Sequence, residues 1–168
     1  MALTVAVVGQ ATFVIKHMNM KKIFFLIAVL ISEIAAAQTM RSPVAWSYSI
    51  KKINNVEAVI TINAEIEEGW HIYSQYLKDG GPVKTVLNFE PLAGYELLGK
   101  ATESGLQVRH EKAFKMDVGY FKNIATFQQK IKLTGSSPLT IKCKIDFGPC
   151  NDKVCLMPEE TVLELQIS

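Results

Sequence analysis

The sequence is poor in the features that large enzymes and nucleic-acid-binding proteins need. Its 168 residues include 3 Cys, 2 Trp, 6 Pro and 10 Gly. The full sequence has a formal net charge of +2, but residues 1–37 hold three of the 18 basic and one of the 16 acidic side chains, so residues 38–168 hold 15 of each and have no surplus of one charge. Binding to nucleic acid is therefore not expected, since it depends on clustered Lys and Arg that release counterions. About 130 residues can bury one core but leave little chain for a deep cleft, so we expect one domain without a cofactor.

Sequence motifs of hydrolytic and metal chemistry are also lacking. No Ser/His/Asp arrangement, glycine-rich phosphate loop or carboxylate pair stands out in the sequence. A copper or zinc site is an alternative, and its soft ligands would come from Cys150, Cys155, His71, His110, Met116 and Met157. The ligand spacings C-x-x-C and H-x-x-x-H are absent, so the sequence favours neither a metal centre nor a hydrolase.

The apolar run near the N-terminus is short and has the layout of an export signal. Residues 23–31 are all apolar, Lys21 and Lys22 precede them, and residues 35–37 are alanines. This order is typical of a secretory signal peptide, which we place at residues 20–37 with cleavage after Ala37. An uncleaved membrane anchor is the alternative, although a bilayer span needs about 20 apolar residues. We interpret residues 1–19 as an extension from a start codon assigned too early, and residues 38–168 as the exported domain.

Alternating apolar and polar residues predict β-strands and no long helix. The pattern is strongest over residues 56–66, and it recurs over residues 141–147 and 163–167. Weaker strand signals mark residues 44–50, 70–74, 83–89, 95–98 and 125–133. Gly, Pro, Asp and Ser separate these segments at roughly ten-residue intervals. Seven to nine short strands of this kind favour an all-β fold, namely an immunoglobulin-like antiparallel β-sandwich.

All three cysteines lie within thirteen positions. Cys143 falls between Ile141 and Ile145 on the inward phase of its strand, where a free thiol behaves as a small apolar group. Cys150 and Cys155 instead bracket a polar turn, and in an exported protein such a pair is able to form a disulfide. Closing so short a loop stabilises a fold by roughly 2 kcal/mol at best, whereas an exposed pair on a turn is accessible to thiol exchange. The spacing alone leaves a structural bridge and an exchange-active pair equally open.

Four segments resemble one known family. Residues 150–159 (CNDKVCLMPE) resemble the active-site hairpin of the N-terminal periplasmic domain of the thiol:disulfide interchange protein DsbD. Residues 43–47 (PVAWS), 69–74 (GWHIYS) and 110–114 (HEKAF) are similar to that domain in the same order, particularly to a stand-alone form of Bacteroidetes type. The likeness covers nearly all of residues 40–168. It implies an immunoglobulin-like sandwich whose cysteine pair shuttles reducing equivalents in the periplasm.

The resemblance also implies roles for individual residues. Cys155 would form mixed disulfides with partners, and Cys150 would be the resolving thiol. A cap loop would cover the pair with an aromatic ring, for which Phe114 is the best match, while His71 and Tyr73 would line the site. A core aromatic is the alternative interpretation for both Phe114 and Tyr73. We interpret residues 115–119, directly after Phe114, as a turn-forming run that would let the cap move.

The resemblance further implies the partners. The full DsbD chain continues into a membrane-spanning electron conduit and a thioredoxin-like domain, and because this chain ends at Ser168 we expect other proteins to supply both. Thioredoxin-like domains and a membrane conduit protein would be the electron donors, and oxidised exported proteins the acceptors of a monomeric carrier. The alternative from another class is a non-catalytic β-sandwich interaction module whose Cys150–Cys155 bridge is structural.

Overall fold

The computed structural model describes residues 41–136 and 138–168, so the predicted extension (1–19) and signal peptide (20–37) lie outside the described residues. The described chain consists of strands and connecting turns, without any helix. Accordingly, it holds no helical segment that could cross a membrane. Its ten strands are β1 (Val44–Lys52), β2 (Glu57–Ile66), β3 (Ile72–Tyr73), β4 (Val86–Phe89), β5 (Tyr95–Ser104), β6 (Gln107–Glu111), β7 (Met116–Phe121), β8 (Ile124–Leu133), β9 (Leu139–Phe147) and β10 (Glu159–Ile167).

Strand β2 shows why the alternating segments form a sandwich. Every second side chain from Ala58 to Ile66 is buried, while the intervening ones are partly or fully exposed. The strand is paired on both sides, with β1 and with β8, in antiparallel register. Successive side chains of a strand point to opposite faces, so this pattern turns one face of the sheet toward the core.

Seven of the strands make two facing sheets. Their orders are β1-β2-β8-β5 and β10-β9-β4. In chain order these strands take the places A to G of an immunoglobulin constant domain, whose two sheets are ABED and CFG. Side chains from both sheets form one core, including Ile60 and Phe127 from the first and Ile145 and Phe147 from the second. The predicted immunoglobulin-like antiparallel β-sandwich is confirmed.

The remaining strands form a small third sheet, β3-β7-β6. Two of its strands, β6 and β7, were not predicted from the sequence, and residues 116–119 lie within β7 although residues 115–119 were interpreted as a turn-forming run. That interpretation was wrong. Asp117 and Gly119 are turn-prone residues, but the segment forms a strand because it pairs with β6 and β3. The third sheet adjoins the β9–β10 connection. His71, which directly precedes β3, forms an antiparallel bridge there with Cys150.

Cys143 lies in the core of the sandwich, as the sequence predicted. It is 0% exposed on β9 and forms no disulfide. Burial raises the pKa of its thiol to about 12. Cys143 is therefore a packing residue and is unreactive near neutral pH.

Candidate functional site

A tight turn between β9 and β10 brings Cys150 and Cys155 together. The Asn151 side chain accepts hydrogen bonds from the backbone N–H groups of Lys153 (2.9 Å) and Val154 (2.8 Å). The Asn151 N–H also donates to the Val154 carbonyl at 2.8 Å. This Asx turn closes the loop so that the two cysteines form a disulfide, with their Cα atoms 4.0 Å apart. The predicted ability of this pair to form a disulfide is confirmed.

Glycine is required where the hairpin leaves β9. A Cβ added at Gly148 would lie 2.9 Å from the Cβ of Val83. The loop before β4 therefore packs directly against the start of the hairpin. This close approach fixes the direction in which the chain enters Cys150.

The two sulfur-bearing residues differ in exposure. Cys150 is 4% exposed and packs with Tyr73, Val118 and Tyr120 of the third sheet. Cys155 is exposed at the far side of the turn, before β10 begins. An attacking thiolate must approach one sulfur along the S–S axis, and only the Cys155 side of this disulfide is open to solvent.

His71 forms the floor of the site next to Cys150. Its backbone N–H donates to the Cys150 carbonyl, and the Cys150 N–H donates to the His71 carbonyl, each at 2.9 Å. The imidazole is 1% exposed. Burial, followed by the nearby Arg109 charge, lowers its pKa to about 4, so the ring is neutral near pH 7.

A cluster of polar side chains surrounds the outer edge of this imidazole. Arg109 Nη2 donates to His71 Nε2 at 2.8 Å, and Arg109 Nε donates to Glu111 Oε1 at 2.6 Å. The Tyr73 hydroxyl donates to Glu111 at 3.3 Å and lies 3.1 Å from His71 Nε2. The Arg109 guanidinium stacks 4.5 Å from the centre of the Tyr120 ring. These contacts hold the Arg109 charge in one place, because Nε and Nη2 donate hydrogen bonds and the flat face of the guanidinium stacks on an aromatic ring.

The turn between β6 and β7 carries Phe114 over the same region. The Phe114 N–H donates to the Glu111 carbonyl at 3.2 Å, and Lys115 takes a left-handed conformation with φ of 53°. Phe114 is 40% exposed, so it is not a core residue. Together with Tyr73, Arg109, Val154 and Cys155 it lines a cleft of about 510 Å³.

Comparison with known proteins identifies the family. A family model described as the N-terminal domain of the thiol:disulfide interchange protein DsbD matches residues 36–167. The chain belongs to the DsbD N-terminal domain family. No curated protein sequence matches it.

Solved structures similar to this DsbD N-terminal family member share little sequence with it. The N-terminal periplasmic domain of ScsB from Proteus mirabilis has 13% identity and a TM-score of 0.56, over 77% of this chain and 48% of that one. The reduced DsbD N-terminal domain of Neisseria meningitidis has 14% identity and a TM-score of 0.48, over 77% and 92%. The complex of the DsbD and PilB N-terminal domains from Neisseria meningitidis has 13% identity and a TM-score of 0.49, over 77% and 88%. The ScsB similarity supports the shared fold.

This DsbD N-terminal domain brings all five residues of the sequence-predicted site into one region. Cys150 and Cys155 form the disulfide, His71 pairs with Cys150, and Tyr73 and Phe114 line the cleft. Tyr73 is also buried, so the same residue both packs in a hydrophobic cluster and lines the cleft.

Sequence reasoning missed Arg109, Tyr120 and Asn151. The first two lie on β6 and β7, which were not predicted as strands, so their orientation toward the site could not be inferred. Asn151 did carry a signal, because an asparagine at the start of a short polar loop is typical of an Asx turn.

The metal alternative gains no support from the positions of its ligands. Within residues 41–136 and 138–168, no three His, Cys, Asp or Glu side chains are grouped so that they could hold a metal ion. His110 instead pairs with Asp117, with His110 Nδ1 2.8 Å from Asp117 Oδ1. Met157 is 82% exposed.

Proposed function

We propose that this domain exchanges its Cys150–Cys155 disulfide with the thiols of other proteins in the periplasm. The observation that carries the proposal is the unequal exposure of one disulfide, in which Cys155 faces a cleft and Cys150 is buried. A bridge that served only to stabilise a six-residue loop would contribute about 2 kcal/mol and would not need an open cleft beside one sulfur. Membership of the DsbD N-terminal family supports the same chemistry.

The unequal exposure of the two cysteines supports a definite order of events in this proposal. A donor thiolate attacks Cys155 Sγ, the Cys150–Cys155 bond breaks, and its electron pair leaves on Cys150. The second donor thiol then attacks the donor sulfur of the mixed disulfide and releases Cys155, so the donor is oxidised by two electrons and the cysteine pair is reduced. In the reverse direction Cys155 attacks an oxidised acceptor, and Cys150 resolves the mixed disulfide.

The proposed partners and location follow from the family. We propose thioredoxin-like domains and a membrane electron conduit as donors, and oxidised exported proteins as acceptors. The similar ScsB domain is periplasmic, and we propose the same compartment for this chain. Phe114 would shield the disulfide until a partner displaces it.

A redox titration against thioredoxin-like dithiols tests the exchange. An exchange-active pair should equilibrate with them at an ordinary periplasmic potential, whereas a structural bridge should resist reduction until below about −300 mV. A bridge of the second kind would favour the alternative, a non-catalytic interaction module.

Trapping experiments test the order of attack. Cys150→Ala should accumulate mixed disulfides through Cys155, because the resolving thiol is missing. Cys155→Ala is the matched control and should trap little, since Cys150 is buried. Equal trapping by the two variants would contradict the assigned order.

A further inference from the structure

The exchange proposed above leaves a negative charge in an unfavourable place. When Cys155 is attacked, Cys150 departs as a thiolate although the residue is 4% exposed. Cys143 shows what burial alone does in this protein, because it raises the pKa of that thiol to about 12. A leaving thiol of high pKa leaves slowly. The buried sulfur of Cys150 therefore needs a hydrogen-bond donor.

The backbone places the His71 side chain beside that sulfur. His71 and Cys150 exchange both of their backbone hydrogen bonds, each at 2.9 Å. In such an antiparallel pair the two side chains project from the same face, with Cα atoms about 5.5 Å apart. The imidazole of His71 and the sulfur of Cys150 are therefore neighbours.

Arg109 determines which nitrogen of the imidazole carries the proton. Its Nη2 lies 2.8 Å from His71 Nε2, and a guanidinium can only donate hydrogen bonds. Nε2 must therefore accept, which leaves the single proton of the neutral ring on Nδ1.

The Nδ1 atom of His71 is buried and has no hydrogen-bond partner in the oxidised protein. An unpaired buried donor is costly and calls for an explanation. Nδ1 is bonded to Cγ, the atom that follows Cβ, so it lies close to the backbone, at a distance from it similar to that of a cysteine sulfur. Nε2 extends further, toward Arg109.

We propose that the Nδ1–H of His71 donates a hydrogen bond to the Cys150 sulfur whenever that sulfur is a thiolate, and that Arg109 is the positioning residue that holds the required tautomer. The inference rests on the exchange function proposed above. No proton is transferred: the electron pair of the broken S–S bond resides on Cys150 Sγ, and His71 keeps its proton while stabilising the charge. In the reverse direction the same bond keeps Cys150 ionised until it attacks Cys155.

Charged and polar groups from several elements face His71. Arg109 and Glu111 on β6, Lys122 after β7 and Asp152 in the hairpin all affect the titration of His71, and Tyr73 on β3 contacts its ring. Because the pKa of His71 is lowered to about 4, the ring acts as a neutral donor throughout the range in which thiols titrate.

Two substitutions of His71 separate its two nitrogens. His71→Gln places an amide at the distance of Nε2, where it can still accept from Arg109, and removes the Nδ1 donor. His71→Asn places an amide N–H at the distance of Nδ1 and removes the outer acceptor. Each is made in a Cys143→Ala, Cys155→Ser background, in which Cys150 is the one remaining thiol of the three cysteines. The Cys150 pKa is then read from the ultraviolet absorbance of the thiolate, and thermal unfolding checks the fold.

The expected result is a difference between the two variants. His71→Gln should raise the Cys150 pKa by about one unit or more, as loss of a hydrogen bond to a charged group predicts. His71→Asn should raise it less, and Arg109→Met should raise it because the tautomer is released and a nearby positive charge is lost. Folded Gln and Asn variants that both leave the Cys150 pKa unchanged would overturn the inference.

A measurement on the unsubstituted protein covers the case in which these variants fail to fold. Imidazole nitrogen chemical shifts should report the Nδ1–H tautomer of His71 in both oxidised and reduced protein, with the Nδ1–H resonance moving on reduction. An Nε2–H tautomer in the reduced protein would overturn the inference. Neither measurement uses a partner protein, so the two proposals can fail separately. The expected rise in the Cys150 pKa without any exchange with partner thiols would contradict only the proposed function. Exchange with partner thiols without a change in the Cys150 pKa would contradict only this inference.

Discussion

Arg109 Nη2 donates a hydrogen bond to His71 Nε2 at 2.8 Å, across 38 positions of the chain. The contact joins a strand of the β6–β7 hairpin to the residue that pairs with Cys150. It places a permanent positive charge against a buried neutral imidazole, so protonation of His71 is opposed both by burial and by Arg109. This relationship makes the stability of the domain sensitive to acid.

The first prediction concerns that pH dependence. The pKa of His71 falls from about 6.5 in the unfolded chain to about 4 in the fold. Between these values only the unfolded chain takes up the proton, so the contribution is complete above about pH 6.5 and is lost as the pH falls toward 4. Subtracting the pH profile of His71→Gln from that of the unsubstituted protein should leave a slope of up to about 1.4 kcal/mol per pH unit in this window. Parallel profiles from urea unfolding would contradict it.

The second prediction is that Phe114 shields the disulfide from small thiols. Phe114→Ala should speed reduction of Cys150–Cys155 by glutathione, with much less effect on the rate with a thioredoxin-like protein, which displaces the cap in any case. Because Phe114 is 40% exposed, the stability cost should be about 1 kcal/mol or less, below the roughly 3–5 kcal/mol of a buried aromatic.

Val162→Ala is the matched control for Phe114→Ala. Val162 is a half-exposed apolar residue on β10, remote in sequence from the cap. Its substitution should leave both exchange rates unchanged. A destabilised Phe114→Ala protein with unaltered glutathione kinetics would exclude the shielding role.

The third prediction concerns Asn151. Its side chain accepts two backbone hydrogen bonds that close the hairpin, so Asn151→Ala should destabilise the reduced protein by about 1–2 kcal/mol and slow its reoxidation. The oxidised protein should be affected less, because the disulfide then holds the hairpin. Asn151→Asp keeps the accepting oxygen and should restore most of the loss. Urea unfolding and stopped-flow reoxidation measure the two effects, and equal behaviour of the Ala and Asp variants would count against the Asx turn.

The fourth prediction orders the three thiols by reactivity. In reduced, folded protein an alkylating reagent should modify Cys155 first, Cys150 more slowly and Cys143 only after unfolding. Cys155 is exposed, Cys150 is buried with 4% of its surface exposed, and Cys143 is 0% exposed, which gives the reason for this order. Peptide mass spectrometry after timed labelling gives the order. Native labelling of Cys143 as fast as that of Cys155 would contradict the structure.

The fifth prediction concerns export. The protein recovered from the cell envelope should begin at Gln38, since residues 20–37 have the layout of a cleaved signal peptide. N-terminal sequencing, or mass spectrometry if Gln38 has cyclised, reads the first residue. An intact Met1 or Met20 on membrane-bound protein would favour the anchor alternative.

The sequence by itself determined the sandwich and the position of its cysteine pair. Alternation over β2, β8 and β9 is a local property with a period of two residues, so it predicts which face of each strand is buried without knowledge of the partner strand. The placement of Cys143 in the core and of Cys150 and Cys155 about a turn follows from the same local pattern. The resemblance of residues 150–159 then favoured thiol exchange over a structural bridge, a choice that spacing alone left open.

Only the tertiary structure decided which sulfur is exposed and what surrounds it. The segment Met116–Phe121 contains Asp and Gly and becomes a strand only by pairing with β3 and β6. Because that pairing was not visible locally, Arg109 and Tyr120 had no predictable orientation. Burial of Cys150 and the contact between Arg109 and His71 arise when segments far apart in the chain pack against the hairpin, and no local period encodes such contacts.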